Sequence, residues 1–266
     1  MEIHPLDPPR VEPRPLDGIG VIVTRPQRQA AGLAQKLAAV GATPLIWPAV
    51  VILPPVDRTA LERTHAALSD YDIAIFVSAN AVEYGAPDPA RWSPSLRAFA
   101  PGPGTAEALA AVGIRNARIP ATSFDTEGLL ALPELHDVAG RRVLVLRGQG
   151  GRELLGDTLA RRGAQVDYVS CYRRAAPQAG AQELVVALRE RRAQALTLTS
   201  AEGIDNLLAA VGGDGRTLLA GIPSFVPHPR IADHARAAGL DVVTTPGGDA
   251  GLVNGLLEWF AAHPRP

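Results

Sequence analysis

The sequence predicts an α/β protein built from two copies of one β/α unit. Three observations carry that reading. Short apolar runs alternate with helical patterns that stop at glycine. The whole arrangement returns 122 residues further on. Matching positions just after the runs carry arginine or serine in both copies.

The elements follow in order. Residues 1–17 hold five prolines (Pro5, Pro8, Pro9, Pro13, Pro15) and no apolar stretch, so a disordered tail is expected rather than a signal peptide. Residues 19–24 (IGVIVT) read as a buried strand, and residues 30–40 as a helix stopped by Gly41. In the second copy Arg142–Leu146 is the strand, Glu153–Arg162 the helix and Gly163 the stop. Val21, Val23, Arg25, Gln27, Leu33, Leu37, Ala38, Gly41 and Ala42 match Val143, Val145, Arg147, Gln149, Leu155, Leu159, Ala160, Gly163 and Ala164, nine identities in 22 ungapped positions.

The correspondence continues. Residues 72–78 (DIAIFVS) and 195–200 (ALTLTS) are strands ending in serine, each followed by a helix and a short strand, 96–100 and 224–226. Gly102–Ala106 (GPGTA) and His228–Ala232 (HPRIA) then open helices that end at Gly113 and Gly239. Helices near 127–132 and 250–262 close the copies. Strands alternating with helices predict parallel sheets covered on both faces. Proline-rich 47–55 and residues 169–177 link the pieces.

Composition removes several function classes. Net charge is −1, which disfavours a general nucleic-acid or membrane-surface binder. The single cysteine, Cys171, allows neither an internal disulfide nor a thiolate cluster. No apolar run reaches the ~18 residues of a membrane span. Lys36 is the only lysine among 26 basic residues, so arginine dominates the positive charge. That bias fits GC-rich coding and also suits a ligand with many carboxylates, which the guanidinium fork grips in pairs of hydrogen bonds.

In an open parallel sheet, ligands meet the carboxyl ends of the strands. The residues there are Arg25, Ser78, Gly102–Thr105, Arg147–Gly151, Ser200 and His228–Arg230, a set suited to anions. Each serine also reads as a helix N-cap, a role compatible with lining a site. The phosphate-binding GxxxxGK[ST] pattern and the GxSxG nucleophile pattern are absent. Gly148-Gln149-Gly150 approaches a dinucleotide fingerprint, but Glu153 stands where its third glycine belongs. The histidines show no ligand spacing; His228 and His234 are six apart. No metal site is expected.

Taken together, VIVTRP (21–26), DIAIFVSANAV (72–82), AFAPGPGTAEAL (98–109), FDTEGLL (124–130), VLVLRGQGGRELLGDTLARRGA (143–164), CYRR (171–174), LTSAEGIDNL (198–207) and HPRIA (228–232) resemble the bacterial uroporphyrinogen-III synthase family. The resemblance runs from about residue 18 to residue 260. It implies two flavodoxin-like α/β domains joined by two extended linkers, with the active site in the cleft between them. Residues 18–46 and 175–266 would form one domain and 50–168 the other, with linkers at 47–49 and 169–174. The two copies would then be interleaved.

The implied reaction closes hydroxymethylbilane, a linear tetrapyrrole with eight carboxylates, with loss of water and inversion of ring D. No cofactor is implied. Tyr172 matches the family's functionally important tyrosine. Ser78, Thr105 and Ser200 fall at its cleft hydroxyls, and Arg25, Arg147, Gly148, Arg152 and Arg230 join them as expected substrate contacts. Arg230 stands where animal-type members have threonine, and Val77 replaces a common threonine. A cytoplasmic monomer is expected, with a transient encounter with the upstream bilane-forming deaminase. Two alternatives stay open: a two-domain binding protein without chemistry, which in its periplasmic form needs an export signal, and a nucleotide-dependent enzyme.

Overall fold

The computed structural model describes residues 14–264. The chain divides into two compact units, one running through Val51 and resuming at Ala176, the other Ile52–Ala175.

The first unit begins with β1 (Gly20–Val23), α1 (Gln27–Ala39) and β2 (Thr43–Ile46). The second holds β3 (Val51–Leu53, straddling the boundary), α2 (Thr59–Ala66), β4 (Ile73–Phe76), α3 (Ala79–Gly85), β5 (Arg97–Phe99), α4 (Pro103–Ala111), α5 (Thr126–Leu130), β6 (Arg142–Gly148), α6 (Leu154–Arg161) and β7 (Gln165–Ala175). The chain then returns to the first unit with α7 (Ala181–Arg189), β8 (Ala195–Thr197), α8 (Ala201–Ala220), β9 (Ser224–Val226), α9 (Pro229–Ala237), β10 (Val242–Thr244) and α10 (Gly248–Ala262).

One sheet has the order β10-β9-β8-β1-β2, the other β3-β7-β6-β4-β5. In the first, β1 pairs in parallel with β8, Val21 opposite Ala195. In the second, β6 pairs in parallel with β4, Ile73 opposite Val143. Each repeat copy therefore gives its first β/α unit to one sheet and its later strands to the other. The copies differ at their edges. β10 borders β9, whereas beside β5 only an isolated parallel bridge, Phe99 to Arg118, occupies the corresponding place.

The repeated identities are core and cap positions. Val21, Val23, Leu33 and Leu37 are fully buried, as are Val143, Val145 and Leu159. Gly41 and Gly163 both end their helices with positive φ, 98° and 88°, a left-handed turn that disfavours any side chain with a Cβ. Alternation along the strands divides each core between two faces. Ile22 packs with the α7–α8 side, Val21 and Val23 with α1 and α10. In the second unit Ala74 and Phe76 face α3 and α4, while Ile73 and Ile75 face α5 and α6.

Three expectations need correction. Of the expected tail, residues 1–13 lie outside the described residues, but 14–17 are folded. Leu16 is fully buried, and its amide donates to the Val40 carbonyl at 2.9 Å. Residues 47–49, expected as linker, belong to the first unit: Trp47 and Ala49 are buried in its core, and their amides donate to Val23 and Thr24. Residues 169–174, also expected as linker, are the second half of β7, with Val169, Cys171 and Tyr172 buried. An extended apolar segment is equally suited to a linker and to a strand; the β6 partner decides it.

Candidate functional site

The second unit assembles a cluster at the carboxyl ends of β4, β6 and β7. Ser78 follows β4 and caps α3, its Oγ accepting the Ala81 N–H at 3.1 Å. The same Oγ lies 3.3 Å from the Tyr172 hydroxyl. The bland capping reading of Ser78 and the site reading thus hold together.

Tyr172 reaches Ser78 because the pairing of β6 with β7 slips. Arg147 stands opposite Ser170, but Gly148 stands opposite Tyr172. The extra residue is Cys171, and the bulge turns two neighbours inward instead of one. Cys171 is fully buried and Tyr172 is 3% exposed. The Cys171 thiol donates to the Arg147 carbonyl at 3.3 Å, and burial pushes its pKa up to about 12. Gly148 makes room for the tyrosine. A Cβ there would lie 2.7 Å from Tyr172 Cε2 and Cζ. Tyr84 is a further neighbour, its ring centroid 6.4 Å from that of Tyr172.

Arg147 extends from the end of β6. Its Nη2 donates to Glu153 Oε1 at 2.8 Å, and its guanidinium carbon sits 3.9 Å from the centre of the Tyr168 ring. Tyr168 is held in turn by the Gly156 amide, which donates to its hydroxyl at 2.8 Å. Arg152 forms a two-pronged pair with Glu127, 2.8 and 3.2 Å, which holds that carboxyl below its ordinary range. Arg147, Gly148 and Arg152 line one pocket with Tyr168, Tyr172 and Arg174, about 180 Å³ in volume. Ligand pockets usually measure ~300–1,000 Å³, so this one is small for a ligand site.

Thr105 is not brought into that cluster. It sits on the buried face of α4 with Leu109. The remaining residues belong to the first unit. Arg25 is turned to Asp249, with the two side chains 18% and 21% exposed. Ser200 caps α8, accepting the Gly203 amide at 3.0 Å. Arg230 is exposed in the first turn of α9, its amide bonded to His228 Nδ1 at 3.2 Å. Sequence reasoning missed Tyr168 and Glu153 as partners of Arg147. Tyr168 and Tyr172 are four apart in one strand, a same-face spacing that offered a signal until the bulge intervened. Among the described residues no group of three or more His, Cys, Asp or Glu is placed to hold a metal ion.

Comparison with known proteins places the whole chain. The family profile described as uroporphyrinogen-III synthase HemD matches residues 31–248, reaching from α1 to the start of α10. The chain belongs to the uroporphyrinogen-III synthase family. Among its relatives is uroporphyrinogen-III synthase from Salmonella typhimurium, 34% identical over 71% of this chain and 78% of the relative. The Escherichia coli protein of that name is 32% identical over 73% and 80%. Solved structures show the same two-unit α/β fold. Uroporphyrinogen-III synthetase from Helicobacter pylori matches with a TM-score of 0.59 at 13% identity, covering 91% of this chain and 99% of that one. A mutant uroporphyrinogen III synthase from Thermus thermophilus matches with a TM-score of 0.55 at 19% identity, covering 92% and 98%. At such low identity family members keep the fold while most side chains change.

Proposed function

We infer that this chain works as a uroporphyrinogen-III synthase, a cyclising lyase of tetrapyrrole (haem) biosynthesis acting on hydroxymethylbilane. The carrying observation is a family match that runs through both units. The chemistry asks little of the protein as an acid. Loss of the ring A hydroxyl leaves an azafulvene cation stabilised by its own pyrrole. Ring D attacks through its substituted carbon, and the spiro intermediate fragments and recloses. Because the free bilane closes unaided to the wrong isomer, positioning is the main task.

Tyr172 is proposed as the group that assists departure of the hydroxyl. Ser78 supports that role. With its Oγ already accepting from Ala81, its own proton can go to the phenol oxygen, leaving the phenol O–H for the substrate. Gly148 admits the ring, and Arg147 offers a seat for a carboxylate. Arg152 lines the same pocket. Arg25, Thr105, Ser200 and Arg230 are proposed as further contacts on the resemblance and on their places after strands.

The flavodoxin-like reading of the units rests on strand order. From the other edge the first sheet reads β2-β1-β8-β9-β10, which is 2-1-3-4-5 in chain order. The second reads β5-β4-β6-β7-β3, the same order if β3 is counted last. Among the described residues no helix is long and apolar enough to cross a membrane. A cytoplasmic monomer that meets the bilane-forming deaminase transiently completes the proposal, since the substrate is unstable in solution.

The test couples the purified protein to such a deaminase with porphobilinogen and resolves the isomers. Uroporphyrinogen III should dominate and should persist after exhaustive chelation. Isomer I alone would refute the assignment, and loss of activity restored by one added metal would refute the metal-free reaction.

A further inference from the structure

Arg147 shows an unfinished hydrogen-bonding pattern. Its Nε is buried and has no hydrogen-bond partner. Nε and Nη2 form one edge of the guanidinium, the edge that a carboxylate can grip with both oxygens. Glu153 takes only half of it, through Nη2 at 2.8 Å. The other contact, Nη1 to the Arg152 carbonyl, is 3.5 Å long.

The two partners also differ in freedom. The Arg147 side chain is 16% exposed and stays stacked on Tyr168, whereas the Glu153 side chain is 54% exposed. Swinging Glu153 into water would leave the arginine where it is. There is open space beside the arginine: Arg147 lines a pocket of about 180 Å³ together with Gly150 and Gly151. The Arg25–Asp249 pair is the contrast, because both of its side chains are mostly buried.

We propose that Glu153 is a placeholder carboxylate, which occupies half of the Arg147 edge in the free protein and is exchanged for one carboxylate of the substrate. The proposal rests on the synthase reading for the identity of that substrate. Its chemical content is that an incoming carboxylate makes two bonds where Glu153 makes one. Glu153 then sets affinity: stacking on Tyr168 keeps the arginine in place, and Glu153 weakens binding by competing for it.

The experiment compares wild type with Glu153→Gln, Arg147→Gln and the double variant. Glu153 makes its single bond from the exposed side of the pair, on the ~0.2–1 kcal/mol scale of surface ion pairs, so Glu153→Gln should lower KM by up to ~5-fold at unchanged kcat. Arg147→Gln should raise KM by about tenfold or more, the scale of hydrogen bonds to charged groups. In the Arg147→Gln background the Glu153 effect should vanish. Asp214→Asn removes the same charge from another exposed pair, with Arg189 at 2.8 Å, and should leave KM unchanged. Direct binding of uroporphyrin III, followed by fluorescence, should show the same ratios without turnover. An unchanged or higher KM in Glu153→Gln with a lower melting temperature would overturn the exchange and make Glu153 a brace. An equal gain in Asp214→Asn would overturn it in favour of general charge. A wild type that forms no isomer III would sink the synthase reading, and the uroporphyrin ratios would still decide the exchange.

Discussion

Tyr172→Phe is expected to keep the fold and most substrate binding while slowing uroporphyrinogen III formation by ~10²–10⁴, the usual range for general acid help. The hydroxyl is the only group lost. Tyr172 is 3% exposed, and the ring remains among its apolar neighbours in the second unit's core. What disappears is the 3.3 Å contact with Ser78 and the donor that contact orients. A phenol is a weak acid, so it assists departure rather than fully protonating the leaving group. Single-turnover rates with separated isomers measure the effect. A rate near wild type would reduce Tyr172 to a packing residue and leave catalysis to geometry.

Gly148→Ala should be at least as damaging, for a different reason. The new methyl would fall 2.7 Å from two ring carbons of Tyr172 and 3.0 Å from its oxygen. The ring cannot simply retreat, because Tyr84 and the buried core lie around it. Overpacking of this kind costs ~1–3 kcal/mol. For a chain of this size that means a melting temperature several degrees lower, at ~2–4 °C per kcal/mol. The reaction should fall by at least the Tyr172→Phe factor, since the hydroxyl is displaced and not merely deleted. Wild-type rate and stability in Gly148→Ala would show that the ring is looser than its packing indicates.

The legible parts of the fold were those with a repeated apolar signal. β1, β4, β6, β8 and β9 are short runs buried on both sides, and their helices end at glycine. β2, β3 and β10 carry no such signal: residues such as Thr43, Ile46 and Thr244 remain exposed, so periodicity never marked them. The site followed the same division. Ser78 and Arg147 were readable because they stand at the carboxyl ends of strands, Ser78 just past β4 and Arg147 next to the last residue of β6. The Arg147–Glu153 pair was not, and Glu153 had counted only against a dinucleotide. The bulge at Cys171 was also hidden, because it depends on the register between two strands rather than on either one.

The sheet topology has a consequence for the order in which the chain acquires its structure. Every strand of the second sheet has left the ribosome once β7 is made, whereas β1 must wait for β8, with Val21 and Ala195 paired across the whole insertion. Closing a flexible loop of that length is entropically unfavourable, and the cost grows with the logarithm of its length. Folding of the insertion changes that: β3 and β7 are neighbours in its sheet, so both ends of the insertion are drawn onto adjacent strands. The later unit then closes a far shorter effective loop. Co-translational folding should therefore run inside-out, with the middle of the chain resisting protease on stalled nascent chains before either flank does.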